Sequence, residues 1–283
     1  MQFAAGWGET VTPPRLASCF ARCEPTLPLS RGGGEILGVA SLPENRAIMV
    51  LTAQEREPRM IAKLLLQTLI WIVVMGALLF VPAGTLRWPA AWVFLGTIAI
   101  LGVAAGLWLA KTDPALLAER MRPMMQRDQP AADKKFMLAF GFVALIWFLA
   151  IGLDKRYHTS DVPLALQVLG WAMLLLSTGF IMWVMRENSF AAPVVKLQTE
   201  RGHRVISTGP YAWVRHPMYS GTILFFVGAP LLLGSWWGVA MSPLFVVLFA
   251  VRVRIEERAL LAGLAGYGDY AAQVRYRLVP GLW

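Results

Sequence analysis

Four apolar runs, at residues 61–81, 89–110, 136–153 and 163–185, constrain this chain more than any other feature. At about 1.5 Å of helix per residue, three of them can cross about 30 Å of hydrocarbon, and the run 136–153 sits near the lower limit. Two shorter runs, 219–233 and 239–251, flank Gly234-Ser-Trp-Trp-Gly238. Each supplies only about 20 Å of apolar helix, so the pair reads as a tight helical hairpin with Trp236 and Trp237 at an interface. A composition of 57% hydrophobic and 15% charged residues exceeds the apolar load of a soluble domain. The expected fold is therefore an all-α integral membrane protein of about six hydrophobic helices, four spans plus the short C-terminal hairpin.

The net charge of +9 would suit a nucleic-acid partner if it were clustered. It is not clustered. Of the 23 Lys and Arg between residue 46 and the C-terminus, 20 fall before the first span, in alternate loops and after the last helix. The positive-inside rule then places both termini and the 111–135 and 186–218 loops in the cytoplasm. This predicts a multi-pass protein of a bacterial inner membrane, partnered by the lipid bilayer and not by nucleic acid. Residues 1–57 carry Pro13-Pro14 and Arg31-Gly-Gly-Gly34 without a sustained apolar period, and read as a disordered or mis-assigned extension. Cys19 and Cys23 lie in that stretch with no His or further Cys nearby to complete a metal site, so no metal is expected. Residues 58–283 are expected to form the transmembrane domain.

In the loop 111–135, Asp113-Pro114 has the form of an N-cap and first helical turn, with Leu116, Leu117, Arg120 and Met121 at helical spacing. A short amphipathic helix on the membrane surface is predicted, serving as a solvated connector in preference to a gating lid.

Ionisable residues crowd against apolar sequence at one place only. His216 and Tyr219 open the first hairpin helix, and Arg252-Val-Arg-Ile-Glu-Glu257 closes the second. Such groups are costly at membrane depth and persist when they pair or serve a site. Arg252 and Glu256, four apart, share a helix face and can pair, whereas Glu257 lies about 100° further round. Pro217 biases His216 away from helix and suits the first turn that follows.

Gly209-Pro-Tyr-Ala-Trp-Val-Arg-His-Pro-Met-Tyr-Ser-Gly221, the short hairpin, the Arg-x3-Glu-Glu pair and the closing Gly266-Tyr-Gly-Asp-Tyr together resemble the isoprenylcysteine carboxyl methyltransferase family, itself related to membrane phospholipid N-methyltransferases. The resemblance covers about 198–280 and implies that 186–283 is the cofactor-binding part of the domain. It implies an S-adenosylmethionine-dependent methyltransferase acting on a lipophilic acceptor: the carboxylate of a prenylcysteine-like compound, an amine or a thiol. It further implies a cofactor site of Gln198, His203, Val205, Ile206, Tyr211, His216, Pro217, Tyr219 and Glu256, facing the cytoplasm. Arg252, Glu256 and Tyr219 are the implied catalytic residues, with Arg252 toward the acceptor. A sulfonium cation is favoured by a carboxylate and by aromatic faces, which agrees with Glu256, Tyr211 and Tyr219. The alternative on the same architecture is an NADPH-dependent sterol- or steroid-type reductase, with Tyr219 as proton donor. A transporter is disfavoured, because no inverted repeat and no midplane polar residues are evident.

Overall fold

A computed structural model describes residues 43–127 and 129–283, with side chains from residue 58. Cys19, Cys23 and the rest of the stretch before residue 43 lie outside the described residues. Residues 43–57 are helical backbone, where the sequence showed no period. The described chain is all helical, without a strand: α1 (Pro43–Ala83), α2 (Pro89–Thr112), α3 (Pro114–Arg120), α4 (Ala131–Tyr157), α5 (Leu164–Glu187), α6 (Pro217–Leu233), α7 (Trp236–Gly263) and α8 (Tyr267–Gln273). Five helices are long and apolar enough to cross a membrane, including Pro58–Ala83 of α1, and α6 is a shorter apolar helix.

α7 departs from the expected short partner of a hairpin. It continues through Arg252 and Glu257 to Gly263, 28 residues in all. At about 1.5 Å per residue this is about 42 Å, a full span with a polar extension. The apolar run ends at 251, but the charged residues after it are good helix formers and find partners, so the helix does not stop where the hydrophobicity does.

Proline and glycine set the helix ends. Pro89, Pro114 and Pro217 occupy first-turn positions, where a missing N–H costs nothing. Asp113 caps α3 by accepting from Leu116 N at 2.9 Å. Gly234 closes α6 at φ 77°, a left-handed conformation that glycine adopts without a Cβ penalty. Ser235 then caps α7, accepting from Gly238 N at 3.0 Å while donating to Asp154 Oδ2 at 2.5 Å.

Within hydrocarbon every backbone polar group needs an internal partner. Pro230 inside α6 cannot donate to the carbonyl four residues back, that of Phe226. Ser242 of α7 donates to that carbonyl at 2.8 Å. Trp147 of α4 ties the same layer by donating to Gly238 O at 2.8 Å. Around these bonds an aromatic core forms, with Phe226 and Phe245 stacked at 3.7 Å between ring centroids and Trp147 5.3 Å from Phe226.

α5 and α6 pack closely because small residues face each other, as is common where lipid leaves no hydrophobic drive between helices. A Cβ at Gly170 would sit 2.5 Å from both Gly228 O and Leu232 N. Both atoms are backbone and cannot rotate away. Gly170→Ala is therefore expected to destabilise the bundle by about 1–3 kcal/mol through overpacking. Gly179→Ala on the same helix, where a Cβ meets nothing within 4 Å, should not, as thermal unfolding in detergent would show.

Candidate active site

The alternation of helices brings the start of α6, the end of α7, α8, α3 and the segment 188–216 to one end of the bundle. Between them lies a narrow cleft of about 100 Å³ that opens to the outside at its mouth.

One wall is the irregular segment after α5. Asn188 turns the chain by accepting from Phe190 N at 2.8 Å, and its amide donates to Tyr211 Oη at 2.7 Å. Gln198 is fully buried behind this wall, where its amide donates to Phe190 O at 2.8 Å and its carbonyl accepts from Arg201 at 2.5 Å. His203 stacks on Phe190 at 4.6 Å between centroids, and its Nδ1 accepts from Gln198 N at 3.4 Å. Burial holds the His203 imidazole below its ordinary pKa, and burial raises the Tyr211 phenol, so both are neutral at pH 7.

α3 fastens this wall from outside. Leu116, Leu117 and Glu119 are buried, Arg120 donates to Ala191 O at 2.9 Å, and Glu119 pairs with Lys196 at 2.6 Å. The helix start at Asp113 agrees with the sequence, but its polar side is a clamp and not a solvated connector.

The facing wall is built on charge. His216 precedes α6, its backbone N–H bonded to Arg277 O at 2.9 Å, and its ring lies between Glu256 (Nδ1 to Oε2, 3.6 Å) and Glu257 (Nε2 to Oε1, 3.5 Å). Glu257 also meets Arg215 at 3.2 Å and Arg277 at 2.9 Å. Tyr219 donates to Glu256 Oε2 at 2.6 Å, and its ring stacks between His216 and Phe249 at 5.8 and 5.2 Å.

Arg252 does not make the expected pair with Glu256. Its Nε faces Asp133 at 3.6 Å, it donates to Pro193 O, and its guanidinium lies over the Phe136 and Tyr219 rings at 5.0 and 5.7 Å. Asp133 is fully buried and accepts from Gln129 at 2.7 Å and from Val195 N at 2.9 Å as well.

Of the sequence-predicted residues, His203, Val205, Ile206, Tyr211, His216, Tyr219 and Glu256 line the cleft. Gln198 and Arg252 stand behind its walls, and Pro217 serves as the first residue of α6. Sequence reasoning passed over Glu257, Asp133, Phe190 and Tyr267. Arg215 was a signal for Glu257, since a guanidinium beside a buried helix needs an acid. Asp133 gave none, standing in a loop beside Lys134 and Lys135.

Two outcomes are expected. Asp133→Asn leaves Arg252 buried without its counter-charge and should cost about 3–5 kcal/mol, whereas Asp133→Asn with Arg252→Met should recover much of that in a detergent unfolding assay. Because the folded state holds His203 below the ordinary value of 6.5, the unfolded chain binds its proton first as the pH falls. The melting-temperature advantage of wild type over His203→Phe should shrink between about pH 7.5 and about pH 5.5.

The family model for phospholipid methyltransferase matches residues 165–265, the stretch from α5 to the end of α7. Protein-S-isoprenylcysteine O-methyltransferase of Saccharomyces cerevisiae is 33% identical over 155 residues, covering 50% of this chain and 62% of that protein. Methanethiol S-methyltransferase of Mycobacterium tuberculosis is 34% identical over 137 residues, covering 46% of this chain and 52% of that protein. The chain thus spans between half and two thirds of the length of these relatives. Among solved structures, a eukaryotic intramembrane Ras methyltransferase, isoprenylcysteine carboxyl methyltransferase, shares the fold with a TM-score of 0.51 at 17% identity, over 86% of this chain and 88% of that one. The motif around His216 and the sequence relatives are alike in resembling isoprenylcysteine carboxyl methyltransferases, and the membrane fold is shared with one of them.

Proposed function

We propose that this chain is a membrane-embedded S-adenosylmethionine-dependent methyltransferase that acts on a lipophilic acceptor. The observation that carries the proposal is the Glu256 carboxylate, fixed by Tyr219 and flanked by aromatic rings, in a cleft at the strongly basic end of an apolar bundle. The residues present suit the cofactor. A carboxylate favours a sulfonium cation by opposite charge. Phe190, Val205 and Ile206 give an apolar wall for a nucleoside, and the cleft also offers buried hydrogen-bonding groups.

When bound, S-adenosylmethionine supplies an electrophilic methyl group. The protein's own part is alignment and the exclusion of water, which supply most of the rate gain when the acceptor is already an anion or an amine. Tyr219 holds Glu256 in one rotamer, Glu257 holds His216, and Asp133 fixes Arg252 beside the Tyr219 ring. In this reading Arg252 supplies positive potential toward an acceptor carboxylate from behind Tyr219. The acceptor is a prenylcysteine carboxylate, an amine or a thiol, the first and last being the chemistries named by the sequence relatives. The basic end of the bundle faces the cytoplasm, where the cofactor is dissolved, and the acceptor arrives from the bilayer.

Calorimetric titration of detergent-purified protein with S-adenosylhomocysteine tests this. Wild type is expected to bind, Glu256→Ala to bind at least about tenfold more weakly, a difference of about 1.4 kcal/mol, and NADPH to give no heat. A folded protein that ignores S-adenosylhomocysteine and binds NADPH would overturn the reading.

A further inference from the structure

Buried polar groups in folded proteins have partners, and one without a partner in a cleft wall calls for a ligand. Tyr267 is such a group. It is 4% exposed, lines the cleft, and its hydroxyl has no hydrogen-bond partner among the described residues. Its neighbour in α8 differs: the rings lie 5.8 Å apart, but Tyr270 donates to Tyr211 O at 2.8 Å and so serves the fold. Arg215 lines the same cleft with its Nε buried and likewise without a hydrogen-bond partner, although Nη1 faces Glu257.

These two groups differ in kind from the rest of the lining. The wall formed by Phe190, Val205 and Ile206 is apolar, which suits a flat base. Tyr267 and Arg215 present one hydroxyl and one cationic N–H, and burial raises the Tyr267 phenol so that it keeps its proton at neutral pH. Glu257 would repel an anion, but it is compensated by Arg215, Arg277 and His216. The group that matches two donors and a guanidinium is a carboxylate.

We infer that Tyr267 Oη, together with Arg215 Nε, binds the carboxylate at the amino-acid end of the cofactor. The inference rests on the methyltransferase reading above. It assigns the apolar lining of Phe190, Val205 and Ile206 to the nucleoside and the two unspent donors to the amino acid. Glu256, which accepts from Tyr219 and lies 3.6 Å from His216, is assigned to the sulfonium.

Tyr267→Phe removes only the hydroxyl. Two probes are titrated into wild type and variant: S-adenosylhomocysteine, and 5′-methylthioadenosine, which keeps the nucleoside and sulfur but lacks the amino-acid end. The variant is expected to bind the first about tenfold or more weakly and the second unchanged. Without ligand its melting temperature should equal or exceed that of wild type, since a buried hydroxyl that bonds nothing in the fold is removed. Equal losses for both probes would assign the hydroxyl to the nucleoside and overturn the inference, as would unchanged affinity for S-adenosylhomocysteine. A lower melting temperature of the ligand-free variant would also overturn it, by revealing a partner within the fold. Wild type that binds no S-adenosylhomocysteine would sink the functional reading and this subsite together, whereas binding by wild type with an unaltered variant sinks the subsite alone.

Discussion

Glu257 is a carboxylate buried in the last turns of a membrane helix, and the architecture at that end of the bundle follows from compensating it. Arg215 and His216 come from the approach to α6, and Arg277 comes from the segment after α8. Two separate pieces of chain are thereby gathered on one acid. A buried ion is tolerated only when its charge and its lone pairs are met together, so neither can drift without exposing the other to that cost. Helix geometry then does the rest. Glu256 precedes Glu257 by about 100° of rotation, which turns it away from Arg277 and toward Tyr219 and the cleft. Adjacent acids thus take different tasks, one joining the walls and one facing the space between them.

The same requirement, met one turn earlier in α7, builds the opposite wall. Arg252 is neutralised by Asp133 of α4, and Asp133 in turn accepts from the backbone of Val195. The segment 188–197 has no regular secondary structure and would lack a reason to hold one shape. Its position is fixed instead by side chains reaching in from α3, α4 and its own continuation: Arg120 on Ala191 O, Asp133 on Val195 N, and Gln198 on Phe190 O. Charge pairing between helices therefore acts as the scaffold for a loop.

Much of this was legible because hydrocarbon imposes a one-dimensional code. Apolar length and the spacing of Lys and Arg mark the helices and their alternation, and the joint pattern around His216 and Glu256 marks the end where polar residues gather. What was not legible depends on which charge meets which. A helical wheel puts Arg252 and Glu256 on one face and so suggests their pairing, but Asp133, 119 positions away in sequence, meets Arg252 instead. Charge after residue 251 looked like the end of a span because hydropathy does not register that those charges are neutralised. The cleft wall was the hardest part to foresee. Phe190 and Tyr267 lie in loops or at a short helix start, where no periodicity announces which way a side chain faces.

The two ends of the bundle satisfy buried acids in different ways, and this bears on where a charged ligand can act. At the end formed by the α4–α5 and α6–α7 turns, Asp154 is surrounded by the hydroxyls of Thr159, Ser160 and Ser235 at 2.5, 2.6 and 2.5 Å. Those bonds stay within the fold and lock two turns together, with each donor committed to the same carboxylate. At the other end acids are met by guanidinium and imidazole groups, and the cluster leaves Tyr267 Oη and Arg215 Nε with hydrogen-bonding capacity unused. Under the proposed function a polar cofactor brings acceptors and a cation of its own, and the second end offers it these two unspent donors. In that reading the apolar bundle between the ends places the site at a depth a lipophilic molecule can reach.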